Sequence, residues 1–265
     1  MADSVRTTAY HDVRLRLDAP VPANAMVLAA GLGTRMAPLT ETRPKALVEV
    51  AGRSLIDRAL DRLGRAGVTR AVVNLHHHAD MLEAHLQARS GPPALTFSDE
   101  RARLLDTGGG VKAALPLLGD AAFFVVNCDA LWLDGLNDTL KLMASAWDET
   151  RMDVLLLIVL AVNAVAYFGT GDFVMDGLGR LARKPERVIS PYVYGGVAIV
   201  SPKAMQDAPD APEAPDAPDA PVFSMNKIFD ACAHKQRLYG MIHEGQWAHV
   251  GTPEAVRTAE RRLFS

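Results

Sequence analysis

Short apolar runs alternate with amphipathic stretches through the first half of the chain. The apolar runs have the length and composition of buried strands, and they lie at residues 26–30, 71–75, 95–97 and 123–127. The amphipathic stretches predict helices, and they lie at residues 54–67, 81–88 and 111–118. Strands and helices in this order predict an α/β fold: a Rossmann-like, doubly wound, mostly parallel mixed sheet in a single domain.

Two of the predicted helices have clear boundary signals. Ser54 is a typical N-cap, and Gly67 is placed to end the helix that follows it. Near the C-terminus, Thr252 followed by Pro253 marks the start of another helix.

The second half of the chain is less regular but continues the same domain. Its predicted strands lie at residues 153–165, 192–200 and 238–242, with a helix at 224–234. The predicted domain therefore covers residues 25–265.

Two segments do not fit this pattern. Residues 1–24 are predicted to be an N-terminal extension, in which Val13, Leu15 and Leu17 alternate with charged residues. This alternation suits either a short edge strand or a loosely ordered tail. Residues 207–221 repeat Asp-Ala-Pro, and proline at every third position favours an extended, solvated loop inserted between two elements.

Composition excludes several classes of protein. The 265-residue chain is 49% hydrophobic and has a formal net charge of −3, which gives no electrostatic footprint for nucleic acid. Its two cysteines are too few for a disulfide framework. No run reaches the ~18 apolar residues of a membrane span, and the N-terminus lacks the apolar region of a signal peptide. These features predict a cytoplasmic protein with no membrane or nucleic-acid partner.

The loop after the first strand has the residues of a phosphate-binding site. Gly31 and Gly33 permit close approach of backbone N–H groups, and Thr34 and Arg35 add side-chain donors. The third glycine of a dinucleotide-binding motif is absent, because Met36 occupies its position. The loop also lacks the Gly-Lys-Ser/Thr sequence of a P-loop. The loop is therefore predicted to bind a phosphate group through its backbone N–H groups and the side chains of Thr34 and Arg35, without either of these two motifs.

Two charged residues complete a candidate site. Lys45 follows Pro44 close to this loop, and a lysine there supplies a point charge for phosphate oxygens. Asp129 comes directly after the strand at 123–127, where a carboxylate can hold Mg²⁺ together with substrate phosphates. Because ligands of such sheets bind beyond the carboxyl ends of strands, the loop and Asp129 are predicted to meet at one edge of the sheet.

A second glycine-rich segment has two interpretations. Thr107, Gly108 and Gly109 belong to a Thr-Gly-Gly-Gly run that allows the backbone to approach a flat ligand and read a base edge. The alternative is an ordinary turn before the helix at 111–118.

These motifs together resemble a known family. Residues 27–40 read VLAAGLGTRMAPLT and residues 43–48 read RPKALV, which closely resembles the signature of the sugar-1-phosphate nucleotidyltransferases. The resemblance runs from about Ala25 to the C-terminus and implies a GT-A-like fold. Residues 106–118, 126–129 and 171–173 look most like N-acetylmuramate-1-phosphate uridylyltransferases of cell-wall recycling, with mannose-1-phosphate guanylyltransferases as near neighbours.

The resemblance implies a nucleoside triphosphate, with UTP favoured, and a sugar 1-phosphate as substrates, with Mg²⁺ as cofactor. The catalytic residues would be Arg35, Lys45 and Asp129, of which Asp129 would hold the metal ion. Asp172 and Gly196 would contact the sugar. The nucleotide would be bound by Ala29, Ala30, Gly31, Gly33, Thr34, Arg35, Lys45, Thr107, Gly108, Gly109 and Asn127.

Two positions depart from the family pattern. Ala37 stands where relatives often carry a basic residue. Relatives have a second metal-binding aspartate just before a Gly-Thr pair near the C-terminus, and here His249 occupies that place. Either His249 is a metal ligand, in which case Mn²⁺ is preferred over Mg²⁺, or it hydrogen-bonds the sugar or a phosphate.

Two other classes of function compete with this interpretation. A non-catalytic nucleotide-sugar sensor is favoured by Ala37 and His249 but opposed by the intact Arg35, Lys45 and Asp129. An NAD-dependent oxidoreductase is disfavoured by the missing third glycine and by the absence of an acidic residue at the end of the second strand.

Overall fold

The computed structural model describes residues 19–209 and 221–265. The strands of the described part are β1 (Asn24–Leu28), β2 (Glu49–Val50), β3 (Arg53–Ser54), β4 (Arg70–Leu75), β5 (Ala94–Asp99), β6 (Phe123–Asn127), β7 (Ala130–Leu133), β8 (Val154–Leu160), β9 (Ala164–Val165), β10 (Phe173–Met175), β11 (Leu181–Arg183), β12 (Tyr192–Val200), β13 (Leu238–Ile242) and β14 (Gln246–His249). The helices are α1 (Leu55–Ala66), α2 (Ala79–Gln87), α3 (Asp106–Leu118), α4 (Thr139–Ala146), α5 (Asn226–His234) and α6 (Pro253–Leu263).

Within these residues, nine strands form one large mixed sheet. Strands β6, β1, β4 and β5 are parallel neighbours in that order, as predicted for the first half of the chain. Strand β12 then pairs antiparallel with β6. Beyond it lie β8 with its parallel partner β13, and the short strands β10 and β11. The predicted α/β fold with a mixed central sheet in a single domain is confirmed.

Helices cover both faces of the large sheet. Successive residues of β1 illustrate this, because Met26 and Val27 are both fully buried but belong to different apolar clusters. Helices α1, α2 and α4 pack on the side of Val27, whereas α3 and α5 pack on the side of Met26. Strands buried on both faces are continuously apolar, which is why the sequence shows runs rather than alternation.

A smaller sheet, β7-β14-β9, extends the edge of the large sheet that carries the candidate site. Strand β7 begins immediately after Asp129 and pairs antiparallel with β14. Their register sets His249 opposite Ala130, so the end of β14 lies next to Asp129. Neither β7 nor β14 was predicted.

Helix α1 forms where its boundary signals predict it. The Ser54 hydroxyl accepts a hydrogen bond from the Asp57 N–H, and Gly67 ends the helix in the left-handed conformation. Thr252 likewise caps α6 by accepting from the Ala255 N–H.

Several predicted boundaries were wrong. The strand predicted at 153–165 ends at Leu160, and a turn of 3₁₀ helix separates it from β9. The short β10 and β11 and helix α4 were not predicted. Residues 1–18 and 210–220 hold most of the predicted extension and of the Asp-Ala-Pro loop, and they lie outside the described residues. None of the helices in the described part of the chain is both long and apolar enough to cross a membrane.

Helix α3 begins at Asp106, so the Thr-Gly-Gly-Gly run forms its first turns and is not a loop before residue 111. The reason is the segment that packs against it. The N–H groups of Gly108 and Gly109 both donate to the Phe223 carbonyl, at 2.8 and 3.0 Å. A Cβ atom on Gly108 would lie 2.4 Å from the Phe223 ring, and one on Gly109 would lie 2.2 Å from the Pro221 carbonyl oxygen. The glycines therefore allow residues 221–223 to lie directly on the helix.

The Gly109→Ala variant tests this packing. Alanine in a helix normally stabilises by roughly 0.5–1 kcal/mol relative to glycine, but here the clash with backbone should destabilise the protein by about 1–3 kcal/mol. Chemical denaturation measures the difference. Gly177→Ala is the control, because a Cβ atom there would meet nothing within 4 Å. A stabilised Gly109→Ala protein would show that residues 221–223 do not pack as described.

Candidate active site

A cavity of about 440 Å³ opens at the carboxyl ends of β1 and β6. The predicted loop and Asp129 both line it, so the prediction that they share one sheet edge is confirmed. The lining residues are Leu28, Ala29, Ala30, Gly31, Leu32, Gly33, Thr34, Arg35, Met36, Lys45, Asn74, Leu104, Asp106, Thr107, Asn127, Cys128, Asp129 and Gly251.

The loop after β1 is held in a compact turn. Gly33 adopts the left-handed conformation with φ of +64°, and a 3₁₀ turn over Thr34–Met36 follows it. The Gly33 carbonyl accepts from the Met36 N–H and from the Thr40 hydroxyl, both within 3 Å. A Cβ atom on Gly33 would lie only 3.0 Å from the Lys45 Cβ. This glycine therefore lets the loop close against Lys45, while Arg35 stays exposed at the mouth of the cavity.

Lys45 and Asp129 form an ion pair across the cavity floor. The Lys45 Nζ lies 2.5 Å from the Asp129 Oδ2, and the two side chains are 13% and 29% exposed. Lys45 starts a 3₁₀ turn after the extended Pro44, and Asp129 follows the last residue of β6 by two positions. In the free protein, the candidate phosphate-binding cation thus neutralises the candidate metal-binding carboxylate.

The donor set at Asp129 suits a metal ion that arrives with its substrate. Among residues 19–209 and 221–265, no group of three or more His, Cys, Asp or Glu side chains is arranged to hold a metal ion. Asp129 lines the cavity next to Lys45, and a second carboxylate, Asp106, lines it from the start of α3. Mg²⁺ commonly binds through one or two carboxylates plus substrate phosphates and water, so this arrangement fits Mg²⁺.

His249 lies beside this pair, at the end of β14. Burial lowers the pKa of its imidazole, and the charges of Lys45 and Arg35 lower it further, against the opposing effect of Asp129 and Asp172. The ring is therefore neutral at pH 7 and retains a lone pair for a metal ion or a hydrogen-bond donor. Its position agrees with either role predicted for it.

Gly196 and Asn127 lie together beneath the site. Gly196 has a φ of +79° at an irregularity in β12, where the register with β8 shifts. A Cβ atom on Gly196 would lie 2.8 Å from the Ala130 Cβ and 3.5 Å from the Asn127 Cβ. The absence of a side chain lets β12 pass close under the end of β6, where Asn127 lines the cavity.

Asp172 lies outside the cavity but next to it. One of its carboxylate oxygens accepts a hydrogen bond of 2.9 Å from the Tyr194 N–H, which fixes the side chain. Asp172 precedes β10, and its negative charge raises the pKa of His249 slightly against the larger lowering by burial. Gly171 makes this turn possible, because a Cβ atom there would lie 2.2 Å from the Ser190 carbonyl oxygen.

The glycine-rich segment contributes less to the cavity than predicted. Asp106 and Thr107 line the cavity, whereas Gly108 and Gly109 are not among its lining residues. Since the N–H groups of these two glycines donate to Phe223, they are not available to read a base. The part of the prediction that assigns base recognition to the N–H groups of Gly108 and Gly109 is corrected accordingly, and a nucleotide contact by other atoms of these glycines stays a prediction.

Asn74 lines the cavity but was missed. Its Oδ1 accepts from the N–H of Ala29 at 2.7 Å and from that of Ala30 at 3.2 Å. A nucleotide can therefore meet Ala29 and Ala30 only through atoms other than their N–H groups. The signal in the sequence was a single amide side chain inside the apolar run 71–75.

Comparison with known proteins agrees with the geometry. The family model described as nucleotidyl transferase matches residues 24–264. An N-acetylmuramate alpha-1-phosphate uridylyltransferase from Caulobacter vibrioides is 46% identical, over 91% of this chain and 97% of that protein. One from Neisseria meningitidis is 31% identical, over 89% and 96%. A mannose-1-phosphate guanylyltransferase catalytic subunit beta from Danio rerio is 26% identical, over 87% of this chain and 61% of its own length.

Solved structures show the same fold. A UDP-glucose pyrophosphorylase complexed with UDP-glucose superposes with a TM-score of 0.72 at 19% identity, covering 90% of this chain and 97% of that one. The resemblance stated from the sequence motifs is confirmed.

The strength of the Lys45–Asp129 pair can be measured by a double-mutant cycle with Lys45→Met and Asp129→Asn. Because the pair is largely buried, the coupling energy in the free protein should be roughly 1–2 kcal/mol by chemical denaturation. The exposed pair Arg53–Asp61 is the control and should give a much smaller coupling. Equal couplings for both pairs would show that Lys45 and Asp129 are not held together in solution.

Proposed function

This chain belongs to the nucleotidyl transferase family, and we propose that it transfers a uridylyl group from UTP to N-acetylmuramate 1-phosphate, releasing pyrophosphate. The observation that carries the proposal is the Lys45–Asp129 pair beside the 31–35 loop, in one cavity at the edge of the sheet. The identity with the Caulobacter enzyme, which extends over nearly the whole of both chains, supports this choice of substrates.

The proposed reaction needs neither a general base nor a covalent intermediate. A phosphate oxygen of the sugar 1-phosphate, already anionic at neutral pH, attacks the α-phosphorus of UTP. The new phosphorus–oxygen bond replaces the bond to the β-phosphate, and pyrophosphate leaves with those electrons. The thiol nearest the site is inert, because burial raises the pKa of Cys128 to about 12.

The main barrier is electrostatic, since two polyanions must meet. Lys45 leaves Asp129 for the phosphates, and Arg35 at the cavity mouth supplies a second cation. Asp129 would hold Mg²⁺, which when bound would offset charge on the phosphates. The side chains of Thr34, Thr107 and Asn127 bind the nucleotide together with the 29–33 backbone.

Asp172 and Gly196 are the proposed sugar contacts. The Asp172 carboxylate has one oxygen fixed by the Tyr194 N–H, which leaves the other free to accept from a sugar hydroxyl. Gly196 lies beside Ala130 and Asn127 at the end of β6, and we propose that its backbone contacts the sugar there.

The proposed setting is the cytoplasm, in the recycling of cell-wall sugars. Cys128 and Cys232 are both buried free thiols, which suits a reducing compartment. GTP with mannose 1-phosphate is the alternative substrate pair. A nucleotide-sugar sensor without activity is the alternative of another class, favoured by Ala37 and by His249 beside Asp129.

Pyrophosphate release tests the function, with four nucleoside triphosphates against several sugar 1-phosphates in Mg²⁺ or Mn²⁺. UTP with N-acetylmuramate 1-phosphate should give the highest kcat/KM. Lys45→Ala and Asp129→Ala should each lose on the order of 10²–10³-fold, because each removes charge stabilisation at the reacting phosphates. Lys227→Ala, on the exposed side of α5, is the matched control and should be unchanged.

Release with a different pair would retain the reaction and correct the substrates. Nucleotide binding without release from any pair would contradict the enzymatic proposal in favour of the sensor.

The role of His249 is tested by its metal preference. If its imidazole ligates the metal, the native protein should be more active with Mn²⁺, and His249→Asp should shift the preference toward Mg²⁺. Activity is compared with each ion at saturating substrates. His234→Asp, at an exposed position on α5, is the control. An unchanged preference in His249→Asp would assign His249 to hydrogen bonding with substrate.

A further inference from the structure

A buried polar pair lies behind the nucleotide loop. Asn74 is in β4, and Glu100 follows the neighbouring strand β5. The two residues are 3% and 2% exposed, and Glu100 does not line the cavity. A carboxylate this deeply buried, without a cationic partner among its hydrogen bonds, is costly, so its presence there needs a physical reason.

The pair forms a chain of hydrogen bonds that ends on the loop. Glu100 accepts from the Asn74 Nδ2 at 2.8 Å through Oε1, and from the Leu105 N–H at 3.1 Å through Oε2. Asn74 in turn accepts from the N–H groups of Ala29 and Ala30 through Oδ1. Glu100 is thus connected to the nucleotide loop through one side chain.

The direction of these bonds is fixed. Because Ala29 and Ala30 present only N–H donors, Asn74 must turn its oxygen toward them and its NH₂ toward Glu100. Glu100 then faces a donor at each oxygen, which only an ionised carboxylate satisfies fully. Burial raises the pKa of Glu100, while the hydrogen bonds from Asn74 and Leu105 oppose that rise.

Helix α3 is shaped to admit the pair. A Cβ atom on Gly110 would lie 2.7 Å from the Glu100 Oε1 and 3.0 Å from the Asn74 Nδ2. Gly110 therefore makes room for the Asn74–Glu100 pair, whereas Gly108 and Gly109 make room for residues 221–223.

We propose that Asn74 and Glu100 are positioning residues for nucleotide binding, with Glu100 acting through Asn74 to hold the start of the loop after β1. The inference rests on the proposed function, because it takes the ligand of the loop to be a nucleoside triphosphate. Neither residue takes part in the transfer of the nucleotidyl group.

Glu100→Gln removes one acceptor and leaves the shape nearly unchanged. Whichever way the new amide turns, its NH₂ faces either the Asn74 NH₂ or the Leu105 N–H. The hydrogen bonds that the Asn74 Oδ1 accepts from the N–H groups of Ala29 and Ala30 weaken as a result. Asn74→Asp alone is also unfavourable, because it sets a second carboxylate against Glu100.

The double variant Asn74→Asp with Glu100→Gln restores every bond. The new carboxylate at position 74 accepts from Ala29 and Ala30 through one oxygen. Its other oxygen accepts from the NH₂ of the new amide at position 100, whose carbonyl accepts from Leu105. The single negative charge is kept but moves to position 74. Rescue by exchange of donor and acceptor is a result that a nonspecific loss of stability does not produce.

Two measurements test the inference on the whole chain. Hydrogen exchange of the Ala29 and Ala30 amides needs no ligand and should be faster in Glu100→Gln than in the native protein and the double variant. The Kd and KM for UTP should rise about tenfold or more in Glu100→Gln, with a smaller change in kcat and none in the KM for the sugar 1-phosphate. Asp99→Asn, on the exposed neighbour, is the matched control.

The possible outcomes separate this inference from the proposed function. Unchanged amide exchange in Glu100→Gln would overturn the hydrogen-bond chain itself. Faster exchange with unchanged UTP affinity would overturn the positioning role, as would a double variant as impaired as the single ones. A native protein that binds none of the four nucleoside triphosphates would overturn the proposed function and the nucleotide-positioning role with it. The amide exchange data would still show whether the hydrogen-bond chain from Glu100 to Ala29 and Ala30 exists.

Discussion

Two parallel strands that end side by side determine where this protein can act. Strands β1 and β6 pair along their length, with Leu28 opposite Asn127, and each continues directly into a segment that lines the cavity. The first continues into the 31–35 loop, which brings Lys45 inward, and the second into Asp129. The Lys45–Asp129 pair closes that edge and keeps both charges satisfied in the free protein. In the proposed reaction, a triphosphate would replace Asp129 as the partner of Lys45, and Mg²⁺ would replace Lys45 as the partner of Asp129.

The surroundings of the pair serve this exchange. Gly33 and Gly196 lack a side chain where the backbone packs closely. Gly33 lets the loop after β1 lie against Lys45, and Gly196 lets β12 lie against the end of β6 next to Asp129. The buried chain from Glu100 through Asn74 holds the beginning of the loop. Because the N–H groups of Ala29 and Ala30 are already used, the proposed phosphate contacts are the later N–H groups of the loop and the side chains of Thr34 and Arg35. In the proposed reaction, Lys45 is the residue that changes its partner when the substrate binds.

The central sheet and the edge that carries the site could be predicted from the sequence, because buried parallel strands are continuous apolar runs and the residues after them must share an edge. Short strands such as β7 and β14 give too little pattern, so the approach of His249 to Asp129 was visible only as a family resemblance. The Thr-Gly-Gly-Gly run was misassigned because glycine signals close approach but not by which partner. Here Phe223 and Pro221 lie more than 110 residues away along the chain, and no local pattern indicates such contacts. The Asn74–Glu100 pair was not predicted for the same reason, since it forms only when the two adjacent strands β4 and β5 are brought together.

The most direct test of this account is a crystal structure of the protein with a non-reactive UTP analogue and Mn²⁺, in which anomalous scattering locates the metal. The account predicts that the Lys45 Nζ has left Asp129 for a phosphate oxygen and that the metal is bonded to the Asp129 carboxylate. A complex in which Lys45 remains on Asp129, with the nucleotide and metal bound elsewhere, would contradict it.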